Sequence, residues 1–154
     1  MGKRTRVAIA LGSNLGDRRA HLDFAVSRLQ TLLGGLVVSR YYDTAPVGLS
    51  GPQPLFLNAA AVGGTTLDAR ALLDTLFAVE RERGRTRRSA NAARTLDLDL
   101  VLFGDSVIDE PGLVVPHPRF RERRFVLEPL AEIAPDFPDP VTGLQVAELL
   151  KRLT

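Results

Sequence analysis

Asp97 and Asp99 are the residues whose type and spacing most directly suggest chemistry. They alternate with Leu96, Leu98, Leu100 and Leu102, a period-two pattern that predicts a β-strand with both carboxylates on one face and leucine on the other. Residues i and i+2 of a strand lie about 6.6 Å apart. Two carboxylates pointing the same way repel unless a cation lies between them. At that separation they could share a pair of Mg²⁺ ions, which in two-metal sites sit about 3.5–4 Å apart. The motif is short, and the polar face of a half-exposed strand would read the same way.

Arginines surround this pair in the sequence. Arg94 precedes Asp97 by three residues, and Arg85, Arg87 and Arg88 lie just upstream. A guanidinium offers a planar fork of donors suited to phosphate. Carboxylates for magnesium beside arginines for phosphate are the parts of phosphoryl-type transfer, where catalysis is mostly positioning and charge neutralisation. A solvated helix end and polar loop would carry the same run. His117 sits in Pro116-His117-Pro118 and is followed by Arg119, Arg121, Arg123 and Arg124. Prolines on both sides restrict the backbone around the ring, and the histidine could donate to a phosphate or ribose oxygen. His21, on the first helix, reads as structural or exposed. Phe56 and Phe125 could sandwich a flat heterocycle, and the Asn58 amide could pair with its donor–acceptor edge; as core residues the two rings would look no different. Gly12-Ser13-Asn14-Leu15-Gly16 lacks the lysine and spacing of a P-loop.

The composition is consistent with anion handling and excludes much else. The chain has no cysteine among its 154 residues, so disulfides, thiol nucleophiles, zinc–thiolate sites and iron–sulfur clusters are excluded. Two histidines make a histidine-rich metal site a poor reading. The length suits one domain, 1–154. No apolar stretch nears the ~18 residues needed to span a bilayer, and the five-residue apolar run near the start does not suit a signal peptide. A cytoplasmic protein is expected. Net charge is +2, but it is unevenly spread. Six arginines against Glu82 give +5 between Arg81 and Arg94, and four against Glu122 give +3 between His117 and Arg124. The rest of the chain carries −6. Two concentrated anion sites are therefore hidden in a near-neutral protein.

The elements that must position these residues follow from periodicity. Thr5–Leu11 reads as a strand, with a turn at Gly12-Ser13-Asn14. Asp17–Leu33 reads as a helix with Leu22, Val26, Leu29 and Leu33 on one face. Leu36–Tyr42 reads as a second strand. Residues 43–56, rich in proline and glycine, form a loop long enough to be functional. Leu57–Val62 is a third strand, stopped by Gly63-Gly64. Thr65 and Asp68 have the spacing of a capping box before a helix bearing Leu72, Leu76 and Val79. Residues 85–93 form a basic loop, and the Leu96–Leu102 strand ends in a hairpin turn at Gly104-Asp105 into Val107-Ile108. A loop over 111–120 precedes a helix over Glu122–Glu132, which Pro129 should break or kink. A short helix around Gln145–Leu150 ends the chain. The order βαββαβ with added elements predicts an α+β domain of the ferredoxin-like kind, with helices packed on a mainly antiparallel sheet.

Taken together, the motifs resemble the 6-hydroxymethyl-7,8-dihydropterin pyrophosphokinase family of folate biosynthesis. The matching stretches include Ala8 to Asp17, Tyr42 to Gly48, Phe56 to Ala60, Glu80 to Arg85, Arg94-Thr95-Leu96-Asp97-Leu98-Asp99-Leu100, and Val115-Pro116-His117-Pro118-Arg119 through Leu130. They run in the family's order along nearly the whole chain. The resemblance implies transfer of the β,γ-pyrophosphoryl group of ATP to the hydroxymethyl oxygen of the dihydropterin, with release of AMP. It implies that Asp97 and Asp99 hold two Mg²⁺ ions. Arg85 and Arg94 fall at arginines that stabilise the transferring charge, and Arg87 and Arg88 fall in a loop that closes over ATP. His117 and Arg123 fall at ATP contacts, and the neighbouring Arg121 is grouped with them. Thr44, Val47, Phe56, Asn58 and Phe125 fall around the pterin. Glu80 matches a family position without an evident role. Three departures stand out: Asn91-Ala92-Ala93 where many members have Trp-x-Pro, Phe56 where some have tyrosine, and Ala45 in place of a common proline. A monomer is the expectation the family carries.

Two other readings compete. A nucleic-acid-binding ferredoxin-like module would also use arginine clusters. An RNA-binding sheet, however, shows exposed aromatics on its central strands, where this chain has Val, Ile, Leu and Asp. A different Mg²⁺–nucleotide enzyme could use the same scaffold.

Overall fold

The computed structural model describes residues 3–44, 55–84 and 95–153. Its main sheet is built around β1 (Thr5–Ser13), which pairs antiparallel with β4 (Phe56–Thr65) on one side and with β5 (Asp97–Phe103) on the other. β2 (Gly34–Val38) and β3 (Tyr42–Thr44) lie end to end along the outer edge of β4, giving the order β2-β4-β1-β5 with β3 beside β4. With α1 (Arg18–Leu32) and α2 (Ala69–Glu82) in sequence, this is the expected α+β arrangement with an antiparallel sheet.

Strand alternation sorts the core into two layers. Val7, Ile9, Leu11, Ala59, Ala61, Leu98 and Leu100 face α1 and α2, meeting Leu22, Leu29, Leu72, Leu76 and Val79. Ala8, Ala60 and Val62 face the opposite layer, formed by α3 (Arg124–Ile133) and α4 (Val146–Lys151). Small side chains on that face let α3 pack closely on β4. The apolar helix faces supply the burial; the caps fix where the helices start. Asp17 accepts from Ala20 N at 3.1 Å and Asp68 from Ala71 N at 2.8 Å, each satisfying an orphan amide of its helix.

Several boundaries differ from expectation, for tertiary reasons. β1 runs on to Ser13 because β4 and β5 both continue its ladder. The second strand is divided. At the break Ser39 N donates to Ala60 O, while Ser39 Oγ accepts from Ala60 N at 2.9 Å, a side chain standing in for a ladder carbonyl. Gly63-Gly64 does not end β4: a Cβ at Gly63 would lie 2.9 Å from the Leu33 Cβ, so the glycine serves close packing. Thr65 and Asp68 do not form a capping box; Thr65 Oγ1 accepts from Leu67 N, and Asp68 alone caps α2. The strand over Ile108–Glu110 (β6) does not fold back on β5. It pairs with β7 (Leu113–Val115), inside the expected loop, because Ile108, Leu113 and Val115 bury against the first core layer. Instead of one helix over 122–132, a 3₁₀ turn (Phe120–Glu122) precedes α3, which continues through Pro129 to Ile133. Burial of Val126, Leu127, Pro129 and Leu130 outweighs the one amide bond that proline omits.

Candidate active site

Every described site residue of the sheet lies on one face, toward its α3 layer. The register explains this. Gly12 stands opposite Asn58 on β4 and opposite Asp97 on β5, and Ala10 stands opposite Ala60 and Asp99. Directly paired residues of antiparallel strands share a face. Asn58, Gly12 and Asp97 thus form one cross-strand row, and Asp99 sits in the next. Tyr42 pairs with Asn58 and Thr44 with Phe56, which extends the same face to β3.

The leucine alternation of β5 holds only in part. Leu96, Leu98 and Leu100 enter the first core layer, but the β1–β5 register shifts between Ala8 and Ile9, leaving Val101 as an extra residue. Leu102 therefore turns to the opposite layer. The bulge has a use at the site: Val101 O accepts from His117 N at 2.9 Å and docks the Pro116–Pro118 segment on the outer edge of β5.

Asp97 and Asp99 are half-buried. Between them, the Leu98 amide faces away from β1 and donates to Glu80 Oε2 at 2.7 Å. Glu80 lies in the last turn of α2 and is 1% exposed. Its contact with the strand between the two aspartates is a link that spacing alone did not reveal.

His117 is half-buried near Asp97 and Arg123. Its Nδ1 accepts from Arg119 N at 3.2 Å, so in the neutral ring the hydrogen resides on Nε2. Burial and the Arg123 guanidinium pull its pKa down to about 4, against the opposing pull of Asp97. Near neutrality the ring is therefore an uncharged donor. Arg123 also lies over the Phe125 ring, 5.6 Å from its centroid, and so stands between the histidine and the aromatic part of the site.

At the other end of the row, Asn58 is 7% exposed, and its Nδ2 donates to Thr44 Oγ1. A Cβ at Gly12 would lie 3.1 Å from Asn58 Oδ1 and 3.9 Å from Phe56 Cδ1. The glycine leaves room for the amide and the ring. Beside them a shallow cavity of about 270 Å³ is lined by Tyr42, Thr44, Arg124, Phe125, Glu128 and Pro129. Arg124 and Glu128 pair across one turn of α3 at 3.1 Å.

The fold thus brings together Thr44, Phe56, Asn58, Asp97, Asp99, His117, Arg123 and Phe125. Arg121 is engaged elsewhere: its Nε and Nη2 donate to Asp139 at 2.6 and 2.9 Å. Asp139 is fully buried and also accepts from Thr142 Oγ1 and Val141 N. This fork ties the chain before α3 to the tail. Val47, Arg85, Arg87, Arg88 and Arg94 lie outside the described residues. Gly12, Tyr42 and the anchoring role of Glu80 escaped sequence reasoning; a glycine inside a strand pattern is the one signal that could have found Gly12.

Among the described residues no third His, Cys, Asp or Glu joins Asp97 and Asp99 in a metal-sized cluster. Two carboxylates on one strand face suit Mg²⁺, which is commonly held by one or two carboxylates, with water and substrate phosphates filling its remaining positions. Among the described residues, too, no helix is long and apolar enough to cross a membrane.

Comparison with known proteins agrees with this geometry. Residues 8–135 match the family model of 7,8-dihydro-6-hydroxymethylpterin-pyrophosphokinase. The chain is 43% identical over 147 residues to the 2-amino-4-hydroxy-6-hydroxymethyldihydropteridine pyrophosphokinase of Pseudomonas aeruginosa, covering 94% of this chain and 90% of that one. It is 47% identical over 127 residues to the Bacillus subtilis protein of the same name, covering 81% and 75%. Among solved structures, wild-type Plasmodium falciparum HPPK-DHPS with SDX-DHP superposes with a TM-score of 0.78 at 15% identity, over 99% of this chain and 45% of that one. That likeness concerns the fold alone, and this chain spans under half of that longer protein. On the family match and the identity to full-length relatives, the chain belongs to the 7,8-dihydro-6-hydroxymethylpterin-pyrophosphokinase family.

Proposed function

We infer that this chain transfers the pyrophosphoryl group of ATP to the hydroxymethyl oxygen of 6-hydroxymethyl-7,8-dihydropterin, yielding AMP and the dihydropterin diphosphate in folate biosynthesis. The observation that carries the reading is the row Asn58–Gly12–Asp97, which sets a heterocycle-reading amide two strands from a carboxylate pair. That span is about 10 Å, room for a flat ring and a hydroxymethyl arm.

Each end of the row has its task. Asn58, steadied by Thr44, reads the donor–acceptor edge of the pterin, and Phe56 and Phe125 cover its faces. Val47 adds a backbone contact. Asp97 and Asp99 hold two Mg²⁺ ions. Bound there, the metal supplies Lewis-acid neutralisation of the polyphosphate. His117 donates from Nε2 to an ATP oxygen, and Arg123 adds a fixed positive charge beside it. Arg85 and Arg94 offset the charge that develops on the transferring group, and Arg87 and Arg88 close over ATP and exclude water. The hydroxyl oxygen attacks the β-phosphorus and gives up its proton to solvent, the bond from that phosphorus to the α,β-bridging oxygen breaks, and AMP leaves with that oxygen. Orientation of the two substrates and neutralisation of the developing charge together supply the rate. A cytoplasmic monomer belongs to the same proposal.

The test is product identity. AMP should form from ATP only when hydroxymethyl-dihydropterin is present. ADP as product, or AMP formed without the pterin, overturns the reading.

A further inference from the structure

Glu80 is a buried carboxylate in an unfavourable place. It lies in the last turn of α2, where the helix dipole disfavours negative charge, and its 1% exposure adds a desolvation cost. A group so placed needs strong compensation. The structure supplies a 2.7 Å bond from Leu98 N to Glu80 Oε2.

The donor is not an arbitrary amide. Among the described residues β5 ends the main sheet, with β1 as its one neighbouring strand. Leu98 N therefore belongs to the outer edge, where strand amides lack a ladder partner. It is also the amide of the peptide joining Asp97 to Leu98. An acceptor on that N–H fixes the plane of the peptide, and with it the direction of Asp97 on one side and the reach to Asp99 on the other. Leu98 itself is buried beneath, packed in the layer of α1 and α2. The edge is thus held by Leu98 from below and by Glu80 from the side.

We propose that Glu80 is a positioning residue for the Asp97–Asp99 pair, holding the strand edge so that the two carboxylates meet metal in a fixed geometry. The inference rests on the reading of those aspartates as the metal ligands. Loss of an outer group hydrogen-bonded to a metal ligand costs about 10- to 100-fold in affinity; Glu80 acts one step further out, through the backbone between the two ligands, so the low end of that range is expected.

Two substitutions separate the acceptor from the charge. Glu80→Gln keeps an oxygen acceptor at the same reach; Glu80→Met keeps the volume and removes it. Mn²⁺ binding would be titrated by electron paramagnetic resonance on the full chain with a non-hydrolysable ATP analogue. The Mg²⁺ dependence of AMP formation would be measured in parallel. Glu80→Met should weaken Mn²⁺ binding by about tenfold, raise the Mg²⁺ needed for half-maximal rate to match, and recover most of kcat at high Mg²⁺. Glu80→Gln should stay near wild type in both. If Glu80→Met does not fold, Glu80→Asp, one methylene too short to reach Leu98 N, takes its place with the same expectation. Unchanged metal binding in the acceptor-deficient variant, or a fall in kcat that high Mg²⁺ does not restore, overturns the proposal. Asp97→Asn and Asp99→Asn serve as reference: normal Mn²⁺ binding in both would instead overturn the assignment of the metal ligands.

Discussion

Asn58 and Asp97 stand in one cross-strand row, on opposite sides of Gly12 and on the same face of the sheet. Their separation is set by backbone hydrogen bonds and does not depend on loop conformation. A Cβ at Gly12 would press on Asn58 Oδ1 at 3.1 Å. Gly12→Ala should therefore raise the KM for the pterin by about tenfold through misplacement of the amide, with little change in the KM for ATP. Steady-state kinetics in both substrates checks this; an effect confined to ATP would contradict the assignment of Asn58.

Asp97→Asn and Asp99→Asn should each lower turnover by about 100-fold or more, the scale of losing one strong electrostatic contributor. Both variants should remain folded at the assay temperature. AMP formation at saturating substrates, together with thermal melts, tests both halves. Near-normal turnover in either variant would remove that residue from the site.

His117 makes the fold pH-sensitive in a defined window. Its folded pKa is lowered to about 4 from an ordinary value of 6.5. The unfolded chain therefore binds a proton that the folded chain refuses between those values. This contribution to stability is full above pH 6.5 and is lost as pH falls toward 4. His117→Gln should flatten the profile, and its amide can still donate to ATP. His117→Phe should flatten the profile too but weaken ATP binding. Urea melts across pH 4–7.5 and ATP titrations would show both effects.

Asp139 should prove structural. Losing a hydrogen bond to a charged group costs about 1.5–3 kcal/mol, and Asp139 also holds Thr142 and Val141. Asp139→Ala should lower stability on that scale, with kcat of the folded fraction preserved. If Asp139→Ala instead raised the KM for ATP at unchanged stability, Arg121 would belong with the ATP contacts.

The sequence by itself carried a large part of this protein. Period-two alternation located β5 and the shared face of Asp97 and Asp99, because that spacing is a property of the strand alone. The helix faces of α1 and α2 followed from apolar spacing, and the linear motifs from 8 to 130 pointed to the family. Other features required partners distant in the chain. The bulge at Val101 exists only relative to β1, and it decides that Leu102 leaves the layer of its neighbours. Gly63 fails to stop β4 because Leu33 needs the space. The fork from Arg121 to Asp139, eighteen residues on and fully buried, could not be read from the local run of arginines. Glu80 could be placed on a helix but not against Leu98 N. Local pattern reports the conformation of a segment; the register between strands and the pairing of buried charges are decided only when the layers close.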